Sequence, residues 1–217
     1  FKMAFFIKFK LVIMTINEKQ KRYYDWLNQV KEEIIDPQLP IIDPHHHLWN
    51  GNDHLAGSFP YLIKHLNEDT FSGHNIVGTI FMECAAGYYI EGDEKYKPVG
   101  ETEFVINLIN ESKNLEKTTN IIGIIGYADL MLGNEVKDVL DEHLLKGEGL
   151  FKGIRHAAGW DKNTEIHNSH SNPIENIYYN KSFREGAEEL IKLNLTFDAW
   201  HYHHQIRDLS NFAINYP

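Results

Sequence analysis

The residues best equipped for chemistry lie in the stretch Pro40-Ile41-Ile42-Asp43-Pro44-His45-His46-His47-Leu48-Trp49. Leu39 to Ile42 is a short apolar run that reads as a buried strand, and it leads into Asp43 and three successive imidazoles. Side chains alternate across a strand, so His45 and His47 share one face and His46 takes the other. Two neutral imidazoles placed in this way can grip one divalent ion, zinc best among them for a nitrogen-rich set. The competing reading is a polar strand end whose histidines meet only water. Of thirteen histidines, six fall in this cluster and in a second one formed by His201, His203 and His204.

Other reactive groups also sit where apolar runs end. Asn75 to Cys84 reads as a strand carrying Glu83 near its end, Ile121 to Leu130 as one carrying Asp129, and Leu150 to His156 as one ending in Arg155 and His156. A guanidinium at such a position can fork onto a substrate carboxylate or carbonyl oxygen; the plainer alternative is an ion pair with a neighbouring acid. Glu83 could position substrate or water, or orient His45 or Arg155 from behind. Asp43 is expected to hydrogen-bond backbone at the turn, and Asp129 to cap the helix that follows. By alternation His156 faces away from Arg155, while His167 and His170 lie in a polar loop. Cys84 carries no nucleophile motif and reads as a buried small residue.

Between these runs the apolar spacing turns helical. Phe104, Val105, Leu108 and Ile109 mark a helix over Glu101–Asn114; Val136, Val139, Leu140 and Leu144 mark one over Asn134–Leu145. Phe183, Ala187, Leu190 and Ile191 do so over Lys181–Leu193. Leu195 to Trp200 reads as a fifth strand, and a helix begins at Asp208. An amphipathic helix is expected over 17–36, stopped at Asp36-Pro37. Alternating strands and helices imply an α/β fold with a parallel sheet and right-handed crossovers. Polar groups gathered at the strands' C-terminal ends fit a TIM barrel rim. No Gly-x-Gly-x-x-Gly follows the first strand, which disfavours a dinucleotide-binding arrangement. Five strands are present where a closed (β/α)8 barrel has eight, so the expectation is a partial barrel over 14–217.

The 217 residues carry a net charge of −10 and 42% hydrophobic content. An acidic chain of this kind lacks the clustered Lys and Arg of a nucleic-acid surface. Residues 1–13 are apolar but broken by Lys8 and Lys10, too short to span a bilayer and without a small-residue cleavage site. They read as a non-native or disordered extension. One cysteine excludes an internal disulfide and is compatible with a cytoplasmic setting. The expected partner is a small-molecule substrate, with neither nucleic acid nor membrane. An open fifth strand edge would favour a homo-oligomer.

Leu39–Trp49, Gly100-Glu-Thr-Glu-Phe104, Gly126-Tyr-Ala-Asp-Leu130, Phe151-Lys-Gly-Ile-Arg-His156 and Phe197-Asp-Ala-Trp-His-Tyr-His-His-Gln205 together resemble the amidohydrolase-related metal-dependent hydrolases. Within them, the chain is most similar to the sugar-lactone and pyrone-dicarboxylate lactonase branch. The resemblance implies a TIM barrel, a divalent metal and hydrolysis of a small lactone or related cyclic ester or amide, by carbonyl polarisation and water attack. It places the strand-1 ligand pair on His45 and His47. It places the strand-5 histidine on His203, because His204-Gln205 occupies the family's Pro-Gln positions; alternation alone does not choose between His201 and His203. Arg155 and Glu83 are the expected substrate-binding groups. A further histidine after a sixth strand and an aspartate after an eighth are implied at positions beyond Pro217. Some lactonases of this kind work without a tightly bound metal. The same resemblance admits a nonoxidative decarboxylase, and a chain with the later ligands absent admits a truncated fragment or noncatalytic binding paralogue.

Overall fold

The computed structural model describes residues 21, 22, 25–51, 60–169 and 171–216. The chain divides into two units, Phe1–Leu39 and Pro40–Pro217. In the first unit residues 25–27 are helical, turns at 28 and 29 follow, and 30–39 form no regular element. The helix expected over 17–36 therefore stops early: Val30, Ile34 and Ile35 are β-branched, and Pro37 bars continuation. Trp26, Val30 and Ile35 are exposed rather than packed. The extension over 1–13 lies outside the described residues.

The second unit alternates as the apolar spacing requires. Its strands are β1 (Pro40–His46), β2 (Asn75–Met82), β3 (Ile121–Gly126), β4 (Phe151–Arg155) and β5 (Thr196–Asp198). Between and after them come helices α1 (Ile63–Thr70), α2 (Val99–Ser112), α3 (Val136–Lys146), α4 (Lys181–Lys192) and α5 (Ile206–Asn215). The strands pair in parallel in the order β1-β2-β3-β4-β5. A doubly wound sheet reverses its order at a switch point, whereas a barrel adds each strand beside the last. The sheet is thus a curled, partial (β/α)8 barrel, α/β in class.

Local sequence accounts for the layers. β3 is Ile-Ile-Gly-Ile-Ile-Gly and is almost wholly buried, as a central parallel strand covered on both faces should be. On α4, Phe183, Ala187 and Leu190 recur at helical spacing and are all buried. Its start is fixed by Asn180, whose side chain accepts from the Phe183 amide. β4 and β5 approach so closely at Gly153 that a Cβ there would lie 2.2 Å from the Thr196 carbonyl oxygen. The core joins Phe81, Ile124 and Ile154 of the sheet to Val105, Val139, Leu140, Phe183 and Phe212 of the helices.

β1 departs from the buried strand expected of Leu39–Ile42. Its only strand partner among the described residues is β2, and as an edge it leaves Ile42 52% exposed. Its pairing also slips, from Asp43 opposite Thr79 to His46 opposite Phe81. Three steps on β1 match two on β2, a bulge that bends the strand end. Asp43 stabilises the bend by accepting the His45 amide at 3.0 Å, the backbone role expected of it.

Candidate active site at the strand ends

The bulge and the alternation divide the three imidazoles. His46 is buried on the helix-facing side, 3.1 Å from Thr79 Oγ1 and edge-on to Phe81; burial holds its pKa down at about 4, so it is a neutral packing group. His45 and His47 turn the other way, and their Nε2 atoms lie 3.2 Å apart. His47 is oriented from behind, its Nδ1 2.8 Å from the Met82 carbonyl oxygen. Nδ1 must donate there, which leaves the Nε2 lone pair facing His45. Burial, with His45 and Arg155 nearby, lowers the His47 pKa despite the Met82 carbonyl, favouring the neutral ring.

A tetrahedral zinc with ligands at about 2.0–2.1 Å sets neighbouring nitrogens roughly 3.3 Å apart. The observed pair fits two such positions. No group of three or more His, Cys, Asp or Glu able to hold a metal occurs among the described residues. The three-histidine centre expected from His45, His47 and His203 is therefore not assembled. The reason is local: the strand ends at Asp198 instead of running to Trp200, and His203 begins a 3-10 turn, His203–Gln205, where its ring is exposed. His201 lies 3.4 Å from the Tyr178 hydroxyl, and His204 Nε2 lies 3.1 Å from the Trp160 carbonyl oxygen.

Arg155 and Glu83 do come together. Arg155 Nε donates to Glu83 Oε1 at 2.7 Å, and its terminal nitrogen donates to the Glu83 carbonyl at 2.5 Å. Glu83 is fully buried and Arg155 nearly so. The second-row, orienting role for Glu83 is the one this geometry supports. Behind the pair stands Glu101 in the first turn of α2, buried, its Oε1 accepting the Cys84 and Ala86 amides at 2.9 and 2.8 Å. That clamp spans Ala85, which adopts a positive φ of 60°. Burial and the neighbouring Glu83 carboxylate raise Glu101 to about 8, against the two amides. Burial and the same two carboxylates push the Cys84 thiol far up, consistent with an inert side chain.

His45, His47 and Arg155 line one cavity of about 360 Å³ with Ala157, Ser169 and Trp200. Its far wall is tied by Gln205, a buried side chain that accepts from the Trp160 and Tyr202 amides and donates to the Ala158 carbonyl. Trp200 leans over Gly159, where a Cβ would come 2.2 Å from the indole ring, and its carbonyl accepts the Ala158 amide at 2.7 Å. His156 is buried away from the cavity and accepts the Leu130 amide, as alternation requires. His167 is exposed, His170 lies outside the described residues, and Asp129 caps the 3-10 turn Leu130–Glu135 by accepting from Met131. Sequence reasoning did not single out Glu101, Gln205 or Asp198. Glu101 and Gln205 act through backbone amides and carbonyls that no side-chain pattern reveals. The signal for Asp198 was its place at the end of an apolar run.

Comparison with known proteins follows the same lines. No protein-family model matches the chain. It is similar to the uncharacterized protein y4mH of Sinorhizobium fredii (strain NBRC 101917 / NGR234), at 26% identity over 196 residues covering 82% of this chain and 59% of that protein. Two crystal structures of an amidohydrolase from Burkholderia multivorans, one with bound HEPES and one with bound zinc, share its fold at a TM-score of 0.53 and 17% identity. The alignments cover 81% of this chain and 53% and 54% of those. The chain thus spans little more than half the length of the proteins it matches. No helix among the described residues is long and apolar enough to cross a membrane.

Proposed function

We propose that this chain carries the substrate-polarising half of a hydrolase of the amidohydrolase superfamily, acting on a small lactone or related cyclic ester or amide. The observation that carries the reading is the convergence of His45 and His47 Nε2, 3.2 Å apart, on a cavity they share with Arg155. Both imidazoles are ligands for a divalent ion, zinc by their nitrogen donors and in keeping with the zinc bound by one structural neighbour. Such an ion, when held, polarises a carbonyl and makes water acidic enough to attack near neutral pH. The remaining tasks belong to this chain's own residues. Met82 keeps His47 in the tautomer whose Nε2 faces the cavity. Glu83 holds Arg155 at a fixed angle, so that its guanidinium orients a substrate carboxylate or carbonyl oxygen. Trp200 supplies an apolar wall beside the polar floor.

The test is a panel of lactones set against aromatic carboxylates, assayed after chelation and again with added zinc. Ring opening that falls at least about tenfold on chelation or in His45→Ala and His47→Ala supports the reading. Carbon dioxide release without ring opening would establish decarboxylation instead.

A further inference from the structure

We propose that Trp200 is a specificity-determining residue of this site, selecting flat, conjugated rings over puckered, saturated ones by stacking them on its indole. For the reaction those rings undergo, the proposal rests on the hydrolytic reading above. Trp200 lines the same cavity as His45, His47 and Arg155, and the other two lining residues, Ala157 and Ser169, are small. It is therefore the one large apolar side chain among the described residues of that lining. The apolar part of an entering ring has a single broad surface to lie on. The indole is 41% exposed, whereas the rings of Phe183 and Phe212, which pack on Phe197 of the same strand, are sealed in the core.

The ring is also held in place. A Cβ at Gly159 would lie 2.2 Å from Cζ3 of the indole and 2.9 and 3.1 Å from Cε3 and Cη2. The glycine is thus what lets the six-membered ring rest against the chain. Those distances rise on both sides of Cζ3, so Gly159 meets a corner of the ring and leaves its faces to other partners. Tyr202 approaches at a tilt of 57° with centroids 5.7 Å apart, and its hydroxyl donates to the His167 carbonyl. The backbone is tied as well: the Trp200 carbonyl accepts the Ala158 amide at 2.7 Å, and the Gly159 carbonyl accepts the Ser169 amide at 3.0 Å. A side chain fixed before binding loses little rotamer freedom when a ligand stacks on it, so most of the contact energy is retained. A conjugated ring can lie offset and parallel on an indole with its atoms in contact, whereas a saturated ring puckers and lifts part of itself away.

The experiment uses the full chain and two matched pairs of probes. The substrates are 2-pyrone and δ-valerolactone; the ligands, followed by calorimetry, are benzoate and cyclohexanecarboxylate. Trp200→Leu is expected to cost 2-pyrone about three- to tenfold more in kcat/KM than δ-valerolactone, and to erase a preference of similar size for benzoate. Trp200→Phe should keep part of both preferences. Gly159→Ala, which drives a methyl group into the indole, should reduce them as Trp200→Leu does. A wall with only a structural role would lower both members of each pair alike. Should Trp200→Leu fail to fold by circular dichroism, Trp200→Phe takes its place, with preferences between wild type and none. Equal losses within each pair, or preferences unchanged in the folded variant, would overturn the assignment and leave hydrolysis standing. A wild-type chain that opens no lactone removes the hydrolytic reading, and the benzoate comparison then decides the stacking by itself.

Discussion

The β1–β4 side of the site and its β5 side are built on different terms. On the first, buried groups fasten His47 through Met82, Arg155 through Glu83, and the Glu83 turn through Glu101. On the second, Asp198 is unengaged, His203 is exposed, and order comes from backbone ties through Gln205. A group held from behind is preorganised to orient a substrate. The contrast is between side chains held by buried partners and a segment ordered through its backbone.

The harshest way to break the comparison is Arg155→Met. It strands the buried Glu83 carboxylate, and loss of one partner of a buried pair costs about 3–5 kcal/mol, a drop in thermal midpoint of roughly 10 °C. A midpoint within a degree or two of wild type would show that the β1–β4 side is not held by this pair. A smaller effect is expected from Glu101→Ala, which leaves the Cys84 and Ala86 amides unsatisfied at a cost of about 1–3 kcal/mol. Glu101 also gives the side a pH signature. Its carboxyl is raised in the folded protein from 4.5 to about 8. The fold therefore binds this proton where the unfolded chain has lost it, and stability falls as pH rises from near 4.5 through 8. Buried His143 acts from below: it is lowered from 6.5 to about 4, so stability falls as pH drops across that window. The two contributions oppose between about pH 4.5 and 6.5, so urea denaturation should be nearly level there and stability should fall from about 6.5 to 8; Glu101→Gln should remove that fall and expose the rise due to His143. The mildest test is His203→Gln, expected to shift stability by less than about 0.5 kcal/mol and to leave zinc binding measured by calorimetry unchanged. Loss of zinc binding there would restore His203 to the ligand set.

Much of this was legible in the chain itself, for identifiable reasons. Period-two alternation separates His46 from His45 and His47 because side chains on an extended backbone have no other choice. Apolar runs ending in Glu83 and Arg155 announced a rim, since strand ends open toward solvent. Helices α2, α3 and α4 fall within two residues of the limits read from their stripes, with α4 at Lys181–Lys192 against an expected Lys181–Leu193. The errors share a cause. Leu195 to Trp200 looks like six residues of strand, yet only Thr196–Asp198 pairs, because regular pairing depends on the partner strand and β4 stops at Arg155. Beyond the strand's end alternation no longer fixes which face His201 or His203 takes. Likewise the apolar character of Ile41 and Ile42 says nothing about which strands flank them, so an edge was read as an interior.

The bulge in β1 has a consequence for how this protein can change. Because neighbouring imidazoles point to opposite sides, inserting or deleting one residue between Asp43 and His45 would exchange their duties, pushing two rings into the hydrophobic layer and leaving a single one at the mouth. Substitutions elsewhere can drift; the count of residues across that kink cannot.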